Sequence, residues 1–129
     1  MKKIFLLASF VVAMSLNLFA QNDTVYYISF KESMGSWSID DKVKPEALST
    51  IWQQTAQYGM KASAYVGGVK HVTESWFISA PLNLTSCTTL KMEFNQALNY
   101  ATPDYVSVKI TKDGANWETL TVPTMPEGK

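Results

Sequence analysis

The sequence predicts an all-β fold, an antiparallel β-sandwich of short strands. Three observations carry that expectation. Apolar runs rich in Val, Ile, Tyr, Phe and Thr are short and are cut by Gly, Pro, Asn and Asp. Two segments alternate strictly: 89–95 sets Leu90, Met92 and Phe94 against Lys91, Glu93 and Asn95, while 105–111 sets Val106, Val108 and Ile110 against Tyr105, Ser107, Lys109 and Thr111. No window beyond residue 20 holds a convincing helical period. Alternation of this kind makes one face buried and one wet, which suits two stacked antiparallel sheets.

The elements follow in order. Residues 25–30, aromatic and weakly alternating, are expected as the first strand. Residues 44–52 are ambiguous, because Pro45 ahead of Glu46-Ala47-Leu48 could open a helical turn. The expectation there is a loop with one turn, then a strand from Ile51. Residues 58–66 make the next strand, ended by Gly67-Gly68, and 71–78 the one after, ended by Pro81. The strand 89–95 follows. Residues 105–111 and 118–122 form a hairpin across Lys112-Asp113-Gly114-Ala115-Asn116-Trp117, a turn signal of the Asp-Gly type. One common apolar face requires Trp76, Phe77, Leu90, Met92, Phe94, Val106, Val108 and Ile110 to be among the most buried residues.

Residues 1–20 read as a signal peptide. Lys2 and Lys3 form the charged start, residues 4–12 are apolar apart from Ser9, and Leu18-Phe19-Ala20 precedes Gln21 as a cleavage site. The apolar stretch falls short of the roughly 20 residues that a spanning helix needs, so export without membrane insertion is expected. Residues 21–129 carry nine lysines and eleven carboxylates, a formal charge of −2, with no arginine and no polybasic tract. Nucleic acid is therefore not an expected partner. Cys87 is alone, which excludes an intrachain disulfide.

The succession of Tyr58-Gly59-Met60-Lys61-Ala62-Ser63-Ala64-Tyr65, then Thr73-Glu74-Ser75-Trp76-Phe77-Ile78-Ser79-Ala80-Pro81-Leu82-Asn83-Leu84, then Leu90-Lys91-Met92-Glu93-Phe94 and the Asp113-Gly114 hairpin resembles the choice-of-anchor J domains. These are relatives of the cleaved-adhesin domains of gingipains. The resemblance implies a jelly-roll, galactose-binding-like sandwich, secreted to the outside or the cell surface of a Gram-negative bacterium. It implies packing roles for Trp37, Trp76 and Trp117. It spans nearly all of residues 21–129 but about the first two-thirds of the family domain, so a single domain truncated at its C-terminus is expected. Residues 25–30 would then offer an open sheet edge for pairing with another chain.

Catalysis finds little material. His71 is the only histidine, no Gly-x-Ser-x-Gly elbow exists, and a zinc site would need three or four ligands. No enzyme activity is expected. Asp40-Asp41 in a loop are either solvated or oxygen ligands, and the resemblance implies a structural calcium near the start of the fold. Glu32 is the further candidate ligand, displaced by one from the position where relatives carry an acid and this chain has Lys31. Aromatic residues are numerous, with four Trp and six Tyr. Trp52, Tyr100 and Tyr105, with Asn95, Gln96 and Asn99, are the candidate ligand-binding residues, since flat rings beside carboxamides suit sugars or protein anchors. The expected function is a secreted or cell-surface, non-catalytic adhesin-type module for an extracellular protein or glycan. The alternative is a carbohydrate-binding module accessory to a secreted glycan-degrading or other hydrolytic enzyme.

Overall fold

A computed structural model describes residues 24–126. The signal-peptide segment and its cleavage site lie outside those residues. The chain divides into two compact units, Met1–Ser86 and Cys87–Lys129. The first holds β1 (Ser38–Val43), β2 (Trp52–Thr55), β3 (Gly59–Ala62), β4 (Tyr65–Val66), β5 (Val69–Lys70) and β6 (Glu74–Ile78). The second holds a 3-10 turn at Pro103–Tyr105, β7 (Val108–Thr111) and β8 (Trp117–Leu120). All pairing is antiparallel, in four two-stranded sheets: β1 with β6, β2 with β3, β4 with β5, and β7 with β8. The fold is all-β. Among the described residues no helix is long and apolar enough to cross a membrane.

Three of the four ribbons are local hairpins. β2 and β3 turn at Tyr58, where the Thr55 hydroxyl accepts from the Tyr58 amide and donates to the Gly59 carbonyl, at 3.1 and 3.2 Å. β4 and β5 meet through Gly67 and Gly68, whose φ of 58° and 85° is left-handed backbone that glycine adopts without a Cβ penalty. Only β1–β6 joins distant sequence. Its register sets Ile39 opposite Phe77 and Asp41 opposite Ser75, with an irregularity between Asp41 and Val43. Phe77 thereby shares a face with Ile39, Asp41 and Ser75.

On that face lies an aromatic core. Phe77 stacks on Trp52 with centroids 5.4 Å apart and on Trp37 at 4.6 Å, and the Phe30 ring meets Phe77 edge-on at 5.2 Å. Such pairs add to burial through the opposed polarity of ring face and edge. Ile51, 5% exposed, is the buried hydrophobic residue among those described. Gly59 is buried at φ 78° because a Cβ there would stand 3.2 Å from Phe30 Cβ and from the Ser29 carbonyl.

Several expectations are corrected. Residues 25–30 form no strand. Phe30 sits at φ 61°, which breaks an extended run, and the segment is held by side chains instead. Gln54 Nε2 donates to the Phe30 and Lys31 carbonyls, and Trp37 Nε1 donates to the Tyr26 hydroxyl at 3.0 Å. Asp40 and Asp41 belong to β1 rather than to a loop. Residues 89–95 join no strand pair, and Leu90, Met92 and Phe94 are 55%, 59% and 44% exposed. Val106 and Ile110 are exposed too, while Trp76, Phe77 and Val108 are half-buried. The physical reason is common to all five exposed residues: alternation creates an apolar face, but burial needs a second surface to meet it.

The turn at residues 44–50 forms as expected, with the Leu48 amide donating to the Pro45 carbonyl at 3.1 Å and Lys44 Nζ to the Leu48 carbonyl at 2.7 Å. The strand expected from Ile51 is β2. The Asp113-Gly114 hairpin forms as expected between β7 and β8.

Candidate functional site

In the first unit the two adjacent acids of β1 are each held by neighbouring groups. Consecutive residues of a strand point to opposite faces, so Asp40 and Asp41 cannot share one ion from adjacent positions. Asp40 pairs with Lys42 at 2.5 Å. Asp41 accepts from the Ile51 amide, at 3.2 Å to its nearer oxygen, and from the Ser75 hydroxyl. Burial pushes the Asp41 carboxyl up, but the Ser75 and Thr50 hydroxyls, the Ile51 amide and the Lys44 charge outweigh it and hold the group below its usual range. The Thr50 hydroxyl is near enough to favour the anion yet lies outside hydrogen-bond geometry. Glu32 is exposed. Among the described residues no group of three or more His, Cys, Asp or Glu is placed to hold a metal ion. Asp41 is a buckle: from β1 it satisfies the first amide ahead of β2 and a hydroxyl on β6.

Trp52 also departs from expectation. Its ring is part of the aromatic core against Phe77, and Nε1 is buried with no hydrogen-bond partner among the described residues. A buried, unpaired donor costs about 1–3 kcal/mol, and the ring face turned to Phe77 is taken up by packing.

The other five candidates lie in the second unit, which Trp52 does not share. Residues 95–105 run from Asn95 to the 3-10 turn. Tyr100 takes φ 61°, a left-handed conformation that reverses the chain. Pro103 then starts the turn, where its missing N–H costs nothing. The turn is closed by the Tyr105 amide on the Thr102 carbonyl at 3.1 Å and the Val106 amide on the Pro103 carbonyl at 3.0 Å. Tyr100 and Tyr105 are 82% and 83% exposed. Asn95 and Asn99 are exposed as well. Gln96 is different: it is half-buried and its Nε2 donates to Met125 Sδ at 3.3 Å, which ties this segment to the chain beyond β8. Gln96 anchors the segment and the two tyrosines and two asparagines face water.

Two phenol rings and two carboxamides in water can stack on flat apolar surfaces and exchange hydrogen bonds. His71 is exposed in the first unit, and Cys87 is half-buried in the second. At the far hairpin the Asp113 carboxylate accepts from the Ala115 and Asn116 amides at 2.9 and 2.8 Å, from Asn116 Nδ2 at 2.7 Å and from the Thr111 hydroxyl at 2.9 Å. The Asn116 amide and side chain, then Ala115 and Thr111, hold its carboxyl far below the usual carboxylate range. Four hydrogen bonds to one carboxylate brace this turn.

The role of Asp41 escaped the sequence reading, although a signal existed. Ile39, Asp41 and Val43 alternate with Ser38, Asp40 and Lys42, the pattern of a strand with an acid on its inner face. Comparison of the chain with protein-family models, with curated proteins and with solved structures finds no match in any of the three.

Proposed function

We propose that this protein is an exported, non-catalytic adhesin-type binding module of the choice-of-anchor J kind, its antiparallel ribbons belonging to a jelly-roll sandwich. Its recognition segment is 95–105, and its partner is an extracellular protein or glycan. One observation carries this: Tyr100 and Tyr105 hold their rings 82% and 83% in water on a backbone braced by a 3-10 turn. A tyrosine has few rotatable bonds and a large amphipathic surface, so binding through it sacrifices little entropy. The signal-like residues 1–20 support export, and the single histidine supports a binding rather than a catalytic role.

The adjacent Asn95 and Asn99 carboxamides favour a second reading, a carbohydrate-binding module serving a secreted hydrolase. Carboxamides donate and accept in the pattern that sugar hydroxyls require. A structural calcium, implied by the family resemblance, would need ligands other than an Asp40–Asp41 pair, such as backbone carbonyls and water near Glu32. A rise in melting temperature on adding calcium, reversed by a chelator, tests for it.

The function is tested by screening the protein on a glycan array and on immobilised extracellular-matrix and cell-surface proteins. Tyr100→Ala and Tyr105→Ala should each weaken saturable binding roughly tenfold while the far-ultraviolet circular dichroism is unchanged. Loss confined to glycans selects the carbohydrate reading, and loss confined to proteins selects the adhesin. Binding that both variants retain in full removes segment 95–105 as the site.

A further inference from the structure

Residues 89–95 combine three properties that point to one partner. First, they make no backbone hydrogen bond to any other described residue, so their backbone groups are free to pair. Second, Leu90, Met92 and Phe94, alternating along the segment, are all exposed. Third, the segment Leu90-Lys91-Met92-Glu93-Phe94 is symmetric about Met92 in size and complementary in charge. Lys91 and Glu93 flank Met92 and pair with each other at 2.5 Å while both remain exposed.

We propose that this segment is a homodimerisation strand, which pairs antiparallel with the same segment of a second copy in the register that places Met92 opposite Met92. In that register Lys91 stands opposite Glu93 of the second copy, and Glu93 opposite its Lys91. The four charges then alternate in sign around a rectangle, each lysine having one glutamate two residues along its own strand and another directly across. Opposite charges directly across a ladder attract, and like charges there repel. On the other face Leu90 meets Phe94 of the second copy on both sides of the Met92 pair, so one continuous apolar row is covered. The two-fold axis makes the contact self-complementary and closed, and it limits assembly to two chains along this edge. Slipping the register by one residue would put Lys91 and Glu93 against apolar side chains, which disfavours the alternatives. This edge differs from the one expected along residues 25–30, where the backbone breaks at Phe30. The proposal does not depend on segment 95–105 binding any ligand.

The test has two arms on the full chain, both in a Cys87→Ser background. In the first, single cysteines report the register under mild oxidation. Opposed Cα atoms in an antiparallel pair lie about 4.5–5.5 Å apart, within disulfide reach, whereas residues offset by four positions are roughly 13 Å apart. Met92→Cys should cross-link to itself. Leu90→Cys alone and Phe94→Cys alone should not, but their mixture should. In the second arm sedimentation measures the monomer–dimer equilibrium. Lys91→Glu alone and Glu93→Lys alone should each weaken dimerisation roughly tenfold, and an equimolar mixture of the two should restore it as a heterodimer. Self cross-linking of Leu90→Cys as fast as Met92→Cys would overturn the register. A charge-swapped mixture no more dimeric than its parts, or a chain monomeric up to its solubility limit, would overturn the pairing itself.

Discussion

Two segments of this chain carry three large apolar side chains each and meet different ends. Residues 74–78 bring Trp76, Phe77 and Ile78 in succession, whereas 89–95 alternates Leu90, Met92 and Phe94 with polar residues. The first became β6 because β1 lies alongside it, and its Phe77 joined Trp37, Trp52 and Phe30 in a core. The second has no ladder partner among the described residues, and its apolar row stands in water. The contrast separates two things that alternation is often taken to mean together. It specifies which side chains share a face. It does not supply the backbone and the ring surface that the face requires.

The largest expected effect tests that contrast directly. Phe77→Ala removes the ring that three others contact, and should cost about 3 kcal/mol in urea-induced unfolding. Phe94→Ala, at a dilution where chains are separate, should change stability by less than about 0.5 kcal/mol, because an exposed ring has little to lose. Comparable losses at both positions would mean that 89–95 is buried in the free chain, and the contrast would collapse.

Anions divide the two regions in the same way. Asp41→Ala strands the Ile51 amide and the Ser75 hydroxyl, and should destabilise by about 1–3 kcal/mol. Glu93→Ala removes only an exposed partner of Lys91 and should leave the urea midpoint unchanged at the same dilution. Equal effects in chemical denaturation would remove Asp41 from its place as the buckle between β1, β2 and β6.

The smallest effect concerns acid. The Asp113 carboxyl is lowered in the folded state, so its support of the β7–β8 turn is complete above its unfolded value of about 4 and fades as pH falls below that. The amides of Ala115 and Asn116 should therefore keep their downfield proton shifts through pH 4 and lose them only in stronger acid. Asp113→Asn should abolish that acid transition while the signals of β6 are undisturbed. A midpoint at the ordinary carboxylate value would show that the turn hydrogen bonds do not hold in solution.

Local signals were legible in the sequence. The Asp113-Gly114 hairpin, the turn after Pro45 and the strand after Ile51 all follow from residues within a few positions of each other. The single strand expected over 58–66, in contrast, is split into β3 and β4, the latter turning at Gly67-Gly68 into β5. The exposed Tyr100 and Tyr105 followed from their Asn- and Pro-rich surroundings. What was not legible depends on distance along the chain. Asp40 and Asp41 looked like a loop because charge disguised the alternation of β1, and nothing near them announces Ser75 as a partner. Trp52 looked available because its neighbours are polar, and only Phe77 on a distant strand claims its ring.

The sequence by itself therefore determined the all-β character and the local turns. These are set by φ/ψ preferences, by glycine and proline, and by the two-residue period of the pleat, all of which act locally. Tertiary structure alone decided which faces are covered. Phe77 is packed and Phe94 is wet, and Asp41 is a structural acceptor while Glu93 is a free surface charge in all but its bond to Lys91. The reason is that burial and pairing belong to two surfaces at once, and the chemistry of one strand fixes only half of each such pair.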